Sequence, residues 1–191
     1  MSGNNKRRSA VVVLVVLSIA RAAAADGPAA PAPSLMCPSN GNVAMTHIRP
    51  LDDEVAAALR TGLRRSPIVA SLVARIESSN AIVYLFGRDV QRPSRGVVLQ
   101  GGMSHQVTMA LSARVIKIAV NPYHGDRSIA TIGHELWHAM EVLDSPDAID
   151  VASVGRLYER IGYAASTGVY ETEGAAAAGN RVLGELRRCK F

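Results

Sequence analysis

His134, Glu135 and His138 stand in the segment His-Glu-Leu-Trp-His, two imidazoles four residues apart with a carboxylate directly after the first. On a helix that spacing has a physical meaning. Four residues is slightly more than one turn, so both rings project from one side. Their nitrogens can then share one Zn²⁺ at about 2.0–2.1 Å. Glu135 is rotated away from the two imidazoles, better placed to reach a metal-bound water than the metal itself. That makes it the candidate general base. Without a metal, the same pattern is a core helix whose histidines bond to backbone or side chains.

The surrounding elements must hold these groups in place. Ile129, Ile132, Leu136 and Met140 recur at helical spacing and can pack the segment 125–144 down as a helix. Just before it, Ala113–Pro122 alternates, with Val115, Lys117 and Ala119 on one side and Ile116, Ile118 and Val120 on the other, as a strand does. Residues 80–87, 95–102 and 105–111 read as further strands, short and β-branched between Gly or polar breaks. Two helices come first. One is capped by Asp52 or Asp53 and carries Val55, Leu59 and Leu63; the other has Ser66 as cap and Pro67 at its first position. After the central helix, a helix is expected from about Pro146 to Ile161, a loop at Tyr163–Gly168, and a closing alanine-rich helix over 170–189.

With this motif and context the chain resembles the zincin metallopeptidases. Helices, then a small sheet, then helices make an α+β plan, and the resemblance implies a zincin-like form of it: N-terminal helices, a small twisted, mostly antiparallel sheet, the HExxH helix packed on that sheet, and C-terminal helices. It also implies that the strand before the HExxH helix, here Ala113–Pro122, forms the rim of a cleft and pairs with an extended substrate through an unpaired edge. A catalytic zinc needs a third protein ligand and one open position. The metzincin pattern would take it from Asp144, but Glu141 stands where that pattern has glycine, and no Met follows Met140. The gluzincin pattern takes a Glu from a downstream helix, and Glu171 and Glu173 are on offer. Glu171 is preferred, because Ala175 and Ala178 share its face of a helix and let it lie close against a neighbour. Support for the zinc histidines then falls to Glu141, Asp144 or a backbone carbonyl, since Ala175 stands a turn after Glu171 where gluzincins often have an acid. From Arg49 onward the chain is also similar to a group of small exported bacterial proteins of unknown function. In that group the third motif opens with Glu-Thr, as Glu171-Thr172 does, which again implies Glu171.

Peptide hydrolysis also needs a group to stabilise the oxyanion. Tyr163 is the candidate named for this role, with Tyr170, His105, Tyr123 and His124 behind it. Trp137 reads as core.

The first 25 residues have a basic start, Lys6–Arg8, an apolar run from Ala10 to Ala20, and small residues up to Ala25. This is the layout of a cleaved signal peptide, so an exported protein, periplasmic or secreted, is expected, with no stable membrane association after the leader is removed. Residues 26–42 read as a Pro/Ala-rich linker and 43–191 as a single domain, expected to be a monomer. The chain carries 21 Lys+Arg against 16 Asp+Glu, a net +5, but Lys6, Arg7, Arg8 and Arg21 lie in the leader, so the remainder is close to neutral. No concentrated basic face and few aromatics are present, which argues against nucleic acid as partner. Cys37 and Cys189 can form one disulfide in an oxidising compartment. The expectation is an exported zinc metallopeptidase acting on a peptide or protein. The alternatives are a non-catalytic module stabilised by zinc, and a zinc hydrolase of a non-peptide amide.

Overall fold

The computed structural model describes residues 45–87, 101–110, 113–166 and 169–189. The leader, the linker, Cys37 and most of the strand expected at 95–102 lie outside the described residues.

The described chain is α+β. Strand β1 (Ile48–Pro50) leads into helices α1 (Asp53–Arg65) and α2 (Pro67–Glu77), then strands β2 (Ala81–Gly87), β3 (Gly101–Ala110) and β4 (Ala113–Val120). A short 3₁₀ turn, Pro122–His124, precedes α3 (Asp126–Leu143) and α4 (Val151–Ile161). Strands β5 (Tyr163–Ser166) and β6 (Val169–Glu171) form a second, two-stranded antiparallel sheet, and α5 (Glu173–Arg188) follows.

The main sheet has the order β1-β2-β4-β3. It is mixed rather than mostly antiparallel: β1–β2 and β2–β4 are parallel, and only β3–β4 is antiparallel. The cause is connectivity. Two helices separate β1 from β2, and a crossover of that length brings the chain back in the same direction. Strand β3 then runs the other way and turns tightly into β4, which slots between β2 and β3. Thus β4 is central, not the rim strand. Its alternation is as expected, with Ile116, Ile118 and Val120 fully buried, but both of its edges are paired. The outer edges belong to β3 and β1.

One face of the sheet builds the core. Val83 and Leu85 of β2 and the three buried residues of β4 pack with Val55 and Leu59 of α1, Val73 and Ile76 of α2, and Ile132 and Leu136 of α3. The far face of β2, with Ile82, Tyr84 and Phe86, is only half-buried. Helix α3 lies innermost, enclosed by the sheet, α2 and α5, and it is buried on nearly every side. Gly125 opens it at φ 57, a backbone that residues with a Cβ resist.

Local signals held at several ends. Ser66 caps α2, accepting from the Val69 amide at 3.2 Å, with Pro67 at the first position. Asp52 precedes α1 without capping it; its carboxylate accepts from the Gly87 amide at 2.6 Å and tethers the end of β2 instead. Helix α4 starts at Val151, not near Pro146, because Asp150 and Ser153 form a reciprocal capping box there. The segment read as a loop at Tyr163–Gly168 begins with β5, which pairs with β6 and so supplies its own backbone partners.

A candidate metal centre

Helix α3 carries His134 and His138 on one face, and both are fully buried, with Glu135 beside them. Their rings meet edge to face with centroids 4.9 Å apart. Glu171 arrives from the other side, at the last position of β6 and not on a helix as expected. The helix-face argument for choosing it therefore does not apply, yet Glu171 is the carboxylate that reaches the pair. Its Oε2 lies 3.4 Å from His134 Nε2 and its Oε1 3.4 Å from His138 Nε2. The small residues do what was expected of them: Ala175, Ala178 and Gly179 are buried against α3. A Cβ at Gly179 would come within 3.3 Å of His134 Cβ.

This arrangement suits a cation. One donor atom from each of His134, His138 and Glu171 lies within 4.8 Å of the others. Two donors each about 2.1 Å from a tetrahedral centre sit about 3.4 Å apart, which is the spacing between each Nε2 and the carboxylate. Neither Nε2 makes a hydrogen bond, an arrangement that buried polar nitrogens rarely tolerate without another partner. These residues thus form a buried His-His-Glu group able to hold a metal ion. Glu135 is 1 % exposed, with Oε1 4.0 Å from His134 Nε2.

The two imidazoles differ electrostatically. Burial, then the neighbouring His138, holds His134 down to about 4, against weaker upward pulls from Glu171 and the Ala175 backbone. Burial also works to depress His138, but the Glu141 hydrogen bond and the carboxylates of Glu171 and Glu135 outweigh it and push His138 up to about 9. His138 lies between the carboxylates of Glu141 and Glu171, and both pull its value upward.

Glu141 provides the support expected of it, Asp144 or a carbonyl. Its Oε2 lies 2.8 Å from His138 Nδ1, and its Oε1 accepts from Trp137 Nε1 at 3.1 Å and from Thr172 Oγ1 at 2.7 Å. Asp144 points elsewhere, paired with Arg75 at 3.1 Å on the surface. Glu173 is exposed in the first turn of α5.

Two contributors escaped the sequence reading. Tyr158 of α4 is buried, its ring set edge-on to His138 at 5.3 Å, and its hydroxyl donates to the His138 carbonyl at 3.1 Å. Only its place on the apolar side of α4, beside Val154 and Leu157, hinted at this. Thr172 caps α5 by accepting from the Ala175 amide at 3.1 Å while donating to Glu141. A Thr just before an alanine-rich helix is a cap signal, and it could have been read.

Tyr163 stands on β5 directly opposite Glu171, so the two side chains share one side of the small sheet. It is 51 % exposed. Burial and the carboxylates of Glu171 and Glu173 raise its phenol above the usual range. Tyr170 is engaged with Glu159 at 3.3 Å. Tyr123 is exposed and, with His124, lies in the turn before α3, away from the histidines at mid-helix. His105 belongs to β3, and its side chain lies outside the described residues. Trp137 is half-buried, and its indole N–H serves Glu141. No family model, curated protein or solved structure matches the chain.

Proposed function

We propose that this chain is an exported zinc-dependent peptidase of the gluzincin kind, with His134, His138 and Glu171 as ligands. The observation that carries the reading is the buried group itself: two helix-borne Nε2 atoms, each 3.4 Å from one carboxylate and neither hydrogen-bonded. Bound there, zinc would supply Lewis acidity toward a water and a substrate carbonyl. Glu135, buried beside His134 Nε2, takes a proton from the attacking water on a carboxylate oxygen and returns it to the departing amine nitrogen. Tyr163, exposed and opposite Glu171, offers its hydroxyl to the oxyanion.

A purely structural zinc site would be closed by a fourth protein ligand. Glu141 and Asp144 are engaged elsewhere and Glu173 is exposed, which favours an open position and hence hydrolysis. The test is zinc content and affinity of the wild type beside Glu171→Ala and Glu173→Ala, followed by hydrolysis of a peptide library. One tight zinc, lost only with Glu171→Ala, together with Glu135-dependent cleavage is expected. A wild type that takes up no tight zinc sinks the proposal before any substrate is tried.

A further inference from the structure

We infer that the cavity beside the turn between α3 and α4 binds a small ligand carrying both charges, a free amino acid or short peptide, with its carboxylate on Arg156 and Arg160 and its ammonium group on Asp147. The site lies apart from the histidine pair and does not depend on a metal there.

The cavity measures about 470 Å³ and is bounded by the turn 144–148 and by α4. That is room for a small organic molecule, well beyond a lone ion. Buried Ala148 and Leu157 give it an apolar base. The turn is held in shape by its own bonds. Arg114, at the start of β4, donates from its guanidinium to the carbonyls of Val142 at 2.6 Å, Leu143 at 2.9 Å and Ser145 at 3.0 Å. The Ala148 amide donates to the Ser145 carbonyl at 3.0 Å. The Asp150–Ser153 capping box fixes the start of α4. Both elements that line the cavity are therefore set in advance, which lowers the cost of binding.

Arg156 and Arg160 are four residues apart on α4, so their side chains leave the same face. Both line the cavity, and so does Asp147 on the turn. Opposite charges around one space ordinarily close on each other. Here, among the described residues, no hydrogen bond or ion pair engages the side chain of Asp147, Arg156 or Arg160. Arg156 acts on Asp150 only through space. Asp144, the other carboxylate of the lining, is already paired with Arg75 at 3.1 Å. Two guanidinium groups and one carboxylate are thus left to a ligand. A simple anion would answer the arginines but meet Asp147, and a simple cation would answer Asp147 but meet the arginines. A zwitterion answers both, and its carboxylate suits the forked donors of a guanidinium. Hydrolysis of a peptide bond liberates a carboxylate and an amine, so a peptidase would release ligands of this class.

The experiment titrates the full chain with glycylglycine, and with acetate, inorganic phosphate and methylammonium as probes carrying one sign of charge. ¹H–¹⁵N correlation spectra follow each titration. The variants are Arg156→Gln, Arg160→Gln and Asp147→Asn, with Arg181→Gln on α5 as a control outside the cavity, and thermal unfolding checks that each folds. The expected result is saturable movement of the Asp147, Ala148, Arg156 and Arg160 amides with glycylglycine, and binding at least about 10-fold weaker for the probes of single sign. Each cavity variant should weaken glycylglycine by about 5–10-fold, and Arg181→Gln should leave it unchanged. No saturable movement of those amides, acetate or phosphate binding as tightly as glycylglycine, or an affinity indifferent to Asp147→Asn overturns the inference. A wild type that holds no zinc refutes the peptidase proposal and leaves this result standing.

Discussion

Gly133, the residue before His134, is one place where α3 and α5 pack too closely for a side chain. A Cβ at Gly133 would lie 2.8 Å from Val182 Cγ2. Carbon atoms at rest are about 3.5–4.0 Å apart, so Gly133→Ala obliges one helix to retreat by about 0.7–1.2 Å. Val182 cannot give way alone: it is fully buried, and a β-branched side chain has one strongly preferred rotamer on a helix. Overpacking of this kind costs about 1–3 kcal/mol. Against it stands the better helix propensity of alanine, worth about 1 kcal/mol. The net loss is then about 0–2 kcal/mol, too ambiguous to read alone. Val182→Ala removes the clash and leaves the propensity gain. In that background Gly133→Ala should stabilise by about 1 kcal/mol, so the double-mutant coupling should be about 1–3 kcal/mol. Urea unfolding of the four proteins measures it. If Gly133→Ala stabilises both backgrounds equally, the two helices are not in the contact described and the reasoning fails. A retreat of α5 also draws Glu171 from the histidines, so Gly133→Ala should bind zinc more weakly than the double mutant.

Other perturbations have equally definite outcomes. Ser66→Ala removes the α2 cap and the hydroxyl that donates to the buried Glu185, and should cost about 2–4 kcal/mol in urea unfolding; a loss under about 0.5 kcal/mol would show that neither bond matters. Glu135→Gln should keep zinc and lower peptide turnover by about 10²–10⁴-fold, and undiminished turnover would remove Glu135 from the proposed chemistry. Glu77 is raised by burial but lowered further by hydrogen bonds from Thr46, His47 and Ile48, so its carboxyl sits below 4.5. A depressed carboxyl contributes stability that is full above its unfolded value and fades as pH falls through the folded one. Melting temperature should therefore drop below about pH 4.5 in the wild type, and that part of the drop should be missing in Glu77→Gln; identical pH profiles would show that Glu77 does not hold β1.

The parts of the site that were legible in the sequence are those governed by local spacing. Two histidines at i and i+4 must share a face, and the structure has them doing so with apolar neighbours buried around them. Glu171 was reachable too, though the reason offered was wrong. A helix-face argument pointed to a residue that lies in a strand, because β6 pairs with β5 and holds the chain extended up to the Thr172 cap. Strand direction was not legible. The alternation in β4 fixes which residues face the core, but the same alternation suits a central or an edge strand in either sense. The slot between β2 and β3 is decided by where a crossover can pass, and periodicity does not encode that. Glu141 and Tyr158 illustrate a third limit. Each side chain works on residues brought near by packing, and nothing in their own spacing distinguishes them from an ordinary helix acid or a packing aromatic.

Thr172 and Glu141 are 31 residues apart in the chain, and α4 with the β5–β6 hairpin fills the interval. The two halves of the site therefore mature at different times. The histidine pair exists as soon as α3 is helical, a local event on the microsecond scale. The carboxylate comes only after that whole interval has folded back and its closure entropy has been met. A folding chain could therefore set two imidazoles side by side before the third donor arrives. A metal ion met at that stage would find two donors, and the third would wait for β6, which carries Glu171. Firm retention of a cation by all three groups would then depend on the last part of the fold to close.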